Sequence, residues 1–292
     1  MPEKEPLMHG KVTVITGTTS GIGEVTARAL AEAGGTVVMV CRSPEKGAAV
    51  QAAIKKDTGN QNIEIVLADF ESLASVRQAA AEIESRWSRL DVLVNNAGAI
   101  QTARSTTKDG IETTFQVNHL APFLLTTLLL PRLRQSAPSR IVNVASRAHL
   151  RGGFDIDDLE SKKGYHGFVV YCRSKLCNVL FTYELARRLE GTGVTVNCLH
   201  PGVIASGFGH NRPGLFRLGV RLAAPFMLTP ERGARTSIYL ATSPEVAGVT
   251  GKYFDDDATE KKSSRLSYER DLQSRLWEIS EHMTGVASRA AE

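Results

Sequence analysis

Val12-Thr-Val-Ile-Thr16-Gly-Thr-Thr-Ser-Gly-Ile-Gly23 carries the chain from an apolar, β-branched run through a turn with three glycines into a helical pattern over 21–34. That strand–turn–helix order decides the fold class. Gly17, Gly21 and Gly23 lack a Cβ, so the turn can be tight and its backbone can lie against a pyrophosphate at the helix N-terminus. Thr19, Ser20 and Ile22 fill the same turn and join the glycines as candidate cofactor contacts. The spacing is G-x-x-x-G-x-G rather than G-x-G-x-x-G. As an isolated motif it is weak, and its position between strand and helix gives it force.

Working outward, short apolar runs alternate with helical patterns. Val12–Thr16, Thr36–Cys41, Ile63–Ala68, Val92–Asn95, Arg140–Ala145, Thr195–Leu199 and Lys252–Phe254 read as strands. Their apolarity is nearly continuous, as expected of a parallel sheet covered on both faces. Helical segments are expected over 21–34, 44–58, 72–88, 109–134, 170–190 and 230–242. The expectation is an α/β fold: a single doubly wound Rossmann domain over 1–292, with a seven-stranded parallel sheet flanked by helices on both faces. Its core spans 11–255. An apolar, glycine-hinged loop over 203–228 is the expected substrate loop, and an amphipathic helical extension is expected over 264–285.

Composition narrows the function classes. The 292 residues are 42% hydrophobic and 23% charged, ordinary for a globular chain with a sizeable core. The net charge of +4 is dispersed, which argues against nucleic acid as a partner. The seven histidines show no metal-ligand spacing, so no metal is expected. Cys41, Cys172, Cys177 and Cys198 form no C-x-x-C pattern and suit a reducing compartment. Neither a signal peptide nor a run of ~18 apolar residues is evident, so the expectation is a cytoplasmic protein without a transmembrane anchor.

Two further positions carry chemistry. Where the second strand ends, an acidic residue would bind a ribose 2′-hydroxyl; this chain has Cys41-Arg42-Ser43. The planar fork of Arg42 suits a 2′-phosphate, so NADP(H) is expected over NAD(H). An ordinary solvated arginine would look the same in isolation. In Tyr171-Cys-Arg-Ser-Lys175 a lysine stands one helical turn from a tyrosine. A nearby cation favours the phenolate and would bring a group of pKa near ~10 toward the working pH. Any helix can show that spacing by accident, and context decides.

That context resembles the short-chain dehydrogenase/reductase family from about Lys11 to Phe254. The motifs are Thr16–Gly23, Asp69, Asn95-Asn-Ala-Gly98, Asn118, Ser146, Tyr171, Lys175 and His200-Pro-Gly202. Within the family the chain is most similar to the retinol-dehydrogenase-type branch, through Val40-Cys-Arg42, Val117-Asn-His-Leu120, Glu184-Leu-Ala-Arg-Arg-Leu189 and Arg275-Leu-Trp277. The resemblance implies that Tyr171 exchanges a proton with the substrate oxygen and Ser146 hydrogen-bonds that oxygen. It implies that Lys175 tunes Tyr171 and holds the nicotinamide ribose, while Asn118 keeps a relay water behind Lys175. Asp69 would contact adenine. Asn95, Ala97 and Gly98 would support the cofactor and the central sheet, and Pro201, Gly202, Val203 and Ser206 would line the nicotinamide end.

The expected activity is NADP(H)-dependent interconversion of an alcohol and an aldehyde or ketone on a mainly apolar small molecule, retinoid-, steroid- or fatty/aromatic-carbonyl-like. A C=C or imine reductase would use the same groups. A non-catalytic NADP(H) sensor would keep the glycine turn without needing Asn118, Ser146, Tyr171 and Lys175. Homo-oligomerisation stays open.

Overall fold

The computed structural model describes residues 6–203 and 228–286. β1 (Val12–Thr16), β2 (Thr36–Cys41), β3 (Ile63–Leu67), β4 (Val92–Asn95), β5 (Ser139–Val144), β6 (Val194–Leu199) and β7 (Tyr253–Phe254) pair in parallel in the order 3-2-1-4-5-6-7. The order reverses between β1 and β4, which opens a crevice at the carboxyl ends of the strands.

Alternation explains the continuous apolar runs. Val14, Val38 and Val40 bury into one layer, against α3 (Leu73–Arg86), α5 (Ala121–Gln135) and α6 (Gly167–Arg188). Their neighbours Ile15, Val37 and Met39 bury into the other, against α1 (Gly21–Glu32), α2 (Pro44–Thr58) and α7 (Pro230–Thr242). Both faces are covered, so both phases of each strand must be apolar. All four cysteines are buried and free within this frame.

Three expectations need correction. The sheet has eight strands, not seven parallel ones: β8 (Glu260–Lys261) adds an antiparallel edge to β7. Its two residues are exposed and charged, so no apolar pattern announces it. The helix expected over 109–134 begins at α4 (Thr113–Phe115), because Glu112 caps it: its carboxylate accepts from the Thr114 and Phe115 amides at 2.9 and 2.6 Å. Asp109 lies outside and accepts from the Leu73 amide, at the start of α3, at 2.8 Å. The extension over 264–285 is broken into a 3₁₀ turn, Arg265–Tyr268, and α8 (Arg270–Thr284).

Between α4 and α5 the backbone makes a π turn, Gln116–Leu120, with helical dihedrals on either side. Such a turn inserts a residue into the helical register and is frequent at functional sites. It also places two fully buried polar side chains, Asn118 and His119, on neighbouring positions. A polar ladder ties this region to the sheet. Asn95 Nδ2 donates to Thr126 on α5 at 2.9 Å and to Asn143 at 2.8 Å, and Asn143 donates to Thr182 on α6 at 2.9 Å.

His119 sits among Phe115, Phe123 and Phe181, and its Nε2 shares a 2.8 Å hydrogen bond with Ser280 of α8. Burial pushes its pKa down to about 3. Below the ordinary histidine range the unfolded chain takes up a proton that the fold refuses. Stability should therefore fall between about pH 6.5 and pH 3, by up to about 1.4 kcal/mol per pH unit from this group. Urea unfolding at pH 7 and pH 4.5 should show that drop, and His119→Gln should make it shallower, the rest coming from buried His149 and His200; an unchanged slope would remove His119 as a source.

Candidate active site

The described residues among those singled out by sequence collect at the carboxyl end of the sheet. The turn after β1 lies directly against the turn after β4. Gly17 has φ +72°, and a Cβ there would stand 2.9 Å from Ala97 Cα. A Cβ on Gly23 would fall 2.5 Å from Asn96 Nδ2 and closer still to the Gly17 carbonyl oxygen. Asn96 clasps the turn, donating to the carbonyls of Thr16 at 2.8 Å and Gly17 at 3.2 Å. Thr16 Oγ1 answers by accepting from the Asn96 and Ala97 amides at 3.0 and 2.9 Å.

This cradle suits an anionic cofactor. Ser20 precedes α1 without capping it through its side chain, so the first-turn N–H groups keep their donor capacity. Thr18 Oγ1, in the same turn, is buried without a protein partner. Thr19 and Ile22 complete the turn.

At the ends of β2 and β3 the side chains are already paired. Arg42, 70% exposed, meets Glu71 Oε1 at 3.1 Å. Asp69 accepts from the Glu71 amide at 3.1 Å and faces Lys108 Nζ at 3.4 Å. Asn95 differs from the other candidates: its amide points into the core ladder rather than the crevice. Beyond β6, Pro201 is buried, while Gly202 takes φ +84° against Leu228. Val203 accepts from the Leu228 amide at 2.8 Å. Ser206 and nearly all of the 203–228 loop lie outside the described residues.

The candidate catalytic residues are held by β5, the π turn and α6. Ser146 follows β5, its Oγ accepting from the Ala148 amide at 3.1 Å. The Ser146 side chain lies close enough to the Tyr171 phenol to lower its pKa. Lys175, 4% exposed, lies with Nζ 5.7 Å from the Tyr171 ring centre and 2.9 Å from the Val144 carbonyl, to which it donates. Gly98 stands beside both Lys175 Nζ and Asn118 Oδ1. Asn118 spans the gap: Oδ1 accepts from the Ala99 amide at 2.6 Å, and Nδ2 donates to Ala99 O at 2.8 Å and Ser174 Oγ at 2.9 Å. Both amide protons are committed, so a relay water would meet the second Oδ1 lone pair.

Electrostatics differ from the simple spacing argument. Burial is the leading influence on Tyr171 and drives its pKa up to about 12, against a lowering by the Ser146 side chain. Lys175 is itself pulled down to about 8 by burial. The helical spacing is right, but a buried cation and a buried phenol each resist charging. At neutral pH the tyrosine holds its proton.

Glu71 and His149 lie outside the motifs quoted above, and Asn96 lies inside the Asn95–Gly98 motif without an expected role of its own. Asn95 and Asn96 are adjacent and alike in sequence; strand alternation sends one inward and leaves the other for the glycine turn. Among the described residues no helix is long and apolar enough to cross a membrane, and no cluster of His, Cys, Asp or Glu could hold a metal.

A short chain dehydrogenase family model matches residues 11–213. This chain belongs to the short-chain dehydrogenase/reductase family, in its retinol-dehydrogenase-like branch. Retinol dehydrogenase 14 of Homo sapiens is 43% identical over 300 residues, covering 96% of this chain and 88% of that protein. Among solved structures, an uncharacterized protein from Mycobacterium Paratuberculosis is 32% identical with a TM-score of 0.76, covering 95% of this chain and 94% of its own. The Pseudomonas aeruginosa RhlG/NADP active-site complex is 28% identical with a TM-score of 0.70, covering 87% and 98%. The family is one of oxidoreductases.

The glycine packing yields a direct test. Gly23→Ala should lower unfolding stability by about 1–3 kcal/mol through overpacking against backbone. Gly164→Ala, where a Cβ meets nothing within 4 Å, should leave it unchanged. Equal urea midpoints for the two variants would contradict the close approach.

Proposed function

We propose that the protein is an NADP(H)-dependent oxidoreductase that interconverts an alcohol and an aldehyde or ketone on a mainly apolar, retinoid-like substrate. The observation that carries the reading is the gathering of Ser146, the Tyr171 phenol and buried Lys175 at one place, next to a glycine cradle shaped for a dinucleotide. Bound NADPH supplies the hydride; the protein supplies position, a proton and electrostatics.

The roles follow from chemistry and geometry together. Tyr171, protonated at neutral pH, donates its phenolic proton to the carbonyl oxygen during reduction and recovers it in the reverse direction. Ser146 Oγ holds the same oxygen in place. Lys175 keeps a positive charge near the ring, which offsets the phenolate as it forms. Asn118 braces the Gly98–Ala99 backbone and Ser174, so Lys175 and the nicotinamide end keep a fixed spacing. Gly17–Gly23 with the α1 N-terminus takes the pyrophosphate, Asp69 the adenine, and Gly202–Val203 the nicotinamide side.

Support for an apolar substrate comes from two sources. Leu150, 55% exposed, ends the short helix that Ser146 begins, and Phe168, 47% exposed, stands one turn before Tyr171. The similar proteins named retinol dehydrogenase point the same way. NADP(H) over NAD(H) is supported by Arg42, by the lack of an acidic residue at Cys41–Ser43, and by the NADP complex of the similar Pseudomonas protein.

Tyr171→Phe should reduce NADPH-dependent turnover by at least about 10²-fold while leaving NADPH affinity within about twofold. The assay is NADPH oxidation over aldehydes and ketones of increasing chain length, retinal included. Undiminished turnover would reject Tyr171 as the proton donor. Activity confined to small polar carbonyls would reject the apolar-substrate reading.

Arg42→Asp should weaken NADPH about tenfold or more and NADH far less, by introducing a carboxylate where a 2′-phosphate would lie. Fluorescence titration of both nucleotides provides the comparison. Equal losses would remove the 2′-phosphate assignment.

A further inference from the structure

His149 stands three residues beyond Ser146, 2% exposed, and the proton-transfer set above makes no use of it. Its ring has two hydrogen-bond partners. Nε2 lies 3.1 Å from the Ser264 amide, which can only donate, so Nε2 carries the lone pair. The proton is then on Nδ1, which donates to the Ser146 carbonyl oxygen at 2.6 Å. The same carbonyl accepts from the His149 amide at 3.1 Å. One residue therefore grips the Ser146 carbonyl twice. The neighbours choose the tautomer, and burial keeps the ring neutral by lowering its pKa.

The far side of the ring joins a brace from the C-terminal part of the chain. Tyr253 of β7 packs against the imidazole, ring centres 4.8 Å apart. Next to Ser264, Ser263 Oγ shares a 2.6 Å hydrogen bond with the Tyr183 hydroxyl on α6, the helix that carries Tyr171 and Lys175. Tyr183 stacks on Tyr268 at 5.4 Å. The segment around 263–268 thus touches both halves of the reactive set, α6 through Tyr183 and the Ser146 turn through His149.

We propose that His149 is a positioning residue, which holds the Ser146 carbonyl through its Nδ1–H and fixes the direction of the Ser146 hydroxyl relative to Tyr171. The proposal rests on the reading of Ser146 as the group that holds the substrate oxygen. A misdirected Ser146 would slow the proton-transfer step while leaving the nucleotide cradle untouched, since the cradle lies on β1 and β4.

The test has two arms on the full chain. Long-range ¹H–¹⁵N spectra of ¹⁵N-histidine protein at pH 7, assigned by loss of the signal in His149→Asn, should show a neutral ring protonated on Nδ1. An Nε2-protonated or doubly protonated ring overturns the proposal. In the second arm, His149→Asn keeps an N–H donor where Nδ1 stands, and His149→Gln places its amide where Nε2 stands. The Gln variant should lose kcat about tenfold or more with retinal and NADPH, while KM and the NADPH dissociation constant move less than about twofold. The Asn variant should retain most of kcat.

Equal losses in the two variants, or losses that merely follow the melting temperature, overturn the proposal. Ser146→Ala separates the two levels of argument. If that variant stays fully active, the functional reading fails and this inference with it. If it is inactive while His149→Gln is unaffected, only the positioning role fails.

Discussion

Everything at the open end of the sheet depends on two backbone turns lying against each other with no side chain between them. Gly17 and Gly23 have no room for a Cβ, because Asn96, Ala97 and the turn's own carbonyl occupy that space. Close approach alone would leave polar groups facing each other, so the Asn96 amide and the Thr16 hydroxyl supply the missing hydrogen bonds. Once the first turn is fixed on β4, the N-terminus of α1 points into the crevice, and the Asn95–Gly98 segment is drawn beside Lys175 and Asn118. Packing and site geometry are here one constraint.

A second theme is the handling of buried polar groups. Asn95, Asn143, Thr126 and Thr182 hydrogen-bond in a chain that ties α5 and α6 to the sheet. Asn118 spends its amide on the Gly98–Ala99 turn and on Ser174. These donors are satisfied, and each fixes an element that carries candidate site residues. Tyr171 and Lys175 are treated differently: burial raises one pKa and lowers the other, so both are held nearer to their neutral forms than they would be in water. A pair poised this way responds strongly to any charge brought close, a property suited to a proton-transfer site.

Much of this was legible from residues alone. The strands from Val12 to Leu199 were readable because a sheet buried on both faces needs uninterrupted apolar runs, and the glycine turn because its neighbours are helix and strand. Motif order brought Asn118, Ser146, Tyr171 and Lys175 into one hypothesis, and the structure brings the four together. The two-residue β8 was invisible, since exposed Glu260 and Lys261 carry no burial signal. The π turn was invisible as well, because the apolar pattern of residues 115–133 reads the same for an α-helix with one residue inserted. The expected substrate loop over 203–228 lies almost wholly outside the described residues.

By itself the sequence determined the layers, the strand positions, and the kinds of side chain available at the crevice. These are local properties: periodicity, glycine placement and residue chemistry require no knowledge of distant partners. Only the tertiary structure decided which of two adjacent asparagines faces the core and which clasps the turn. It also decided that Glu71 reaches Arg42, and that His149 links Ser146 to a segment more than a hundred residues away. Such choices depend on contacts across large separations in sequence and on the cost of burying charge. Neither is written in any one stretch of the chain.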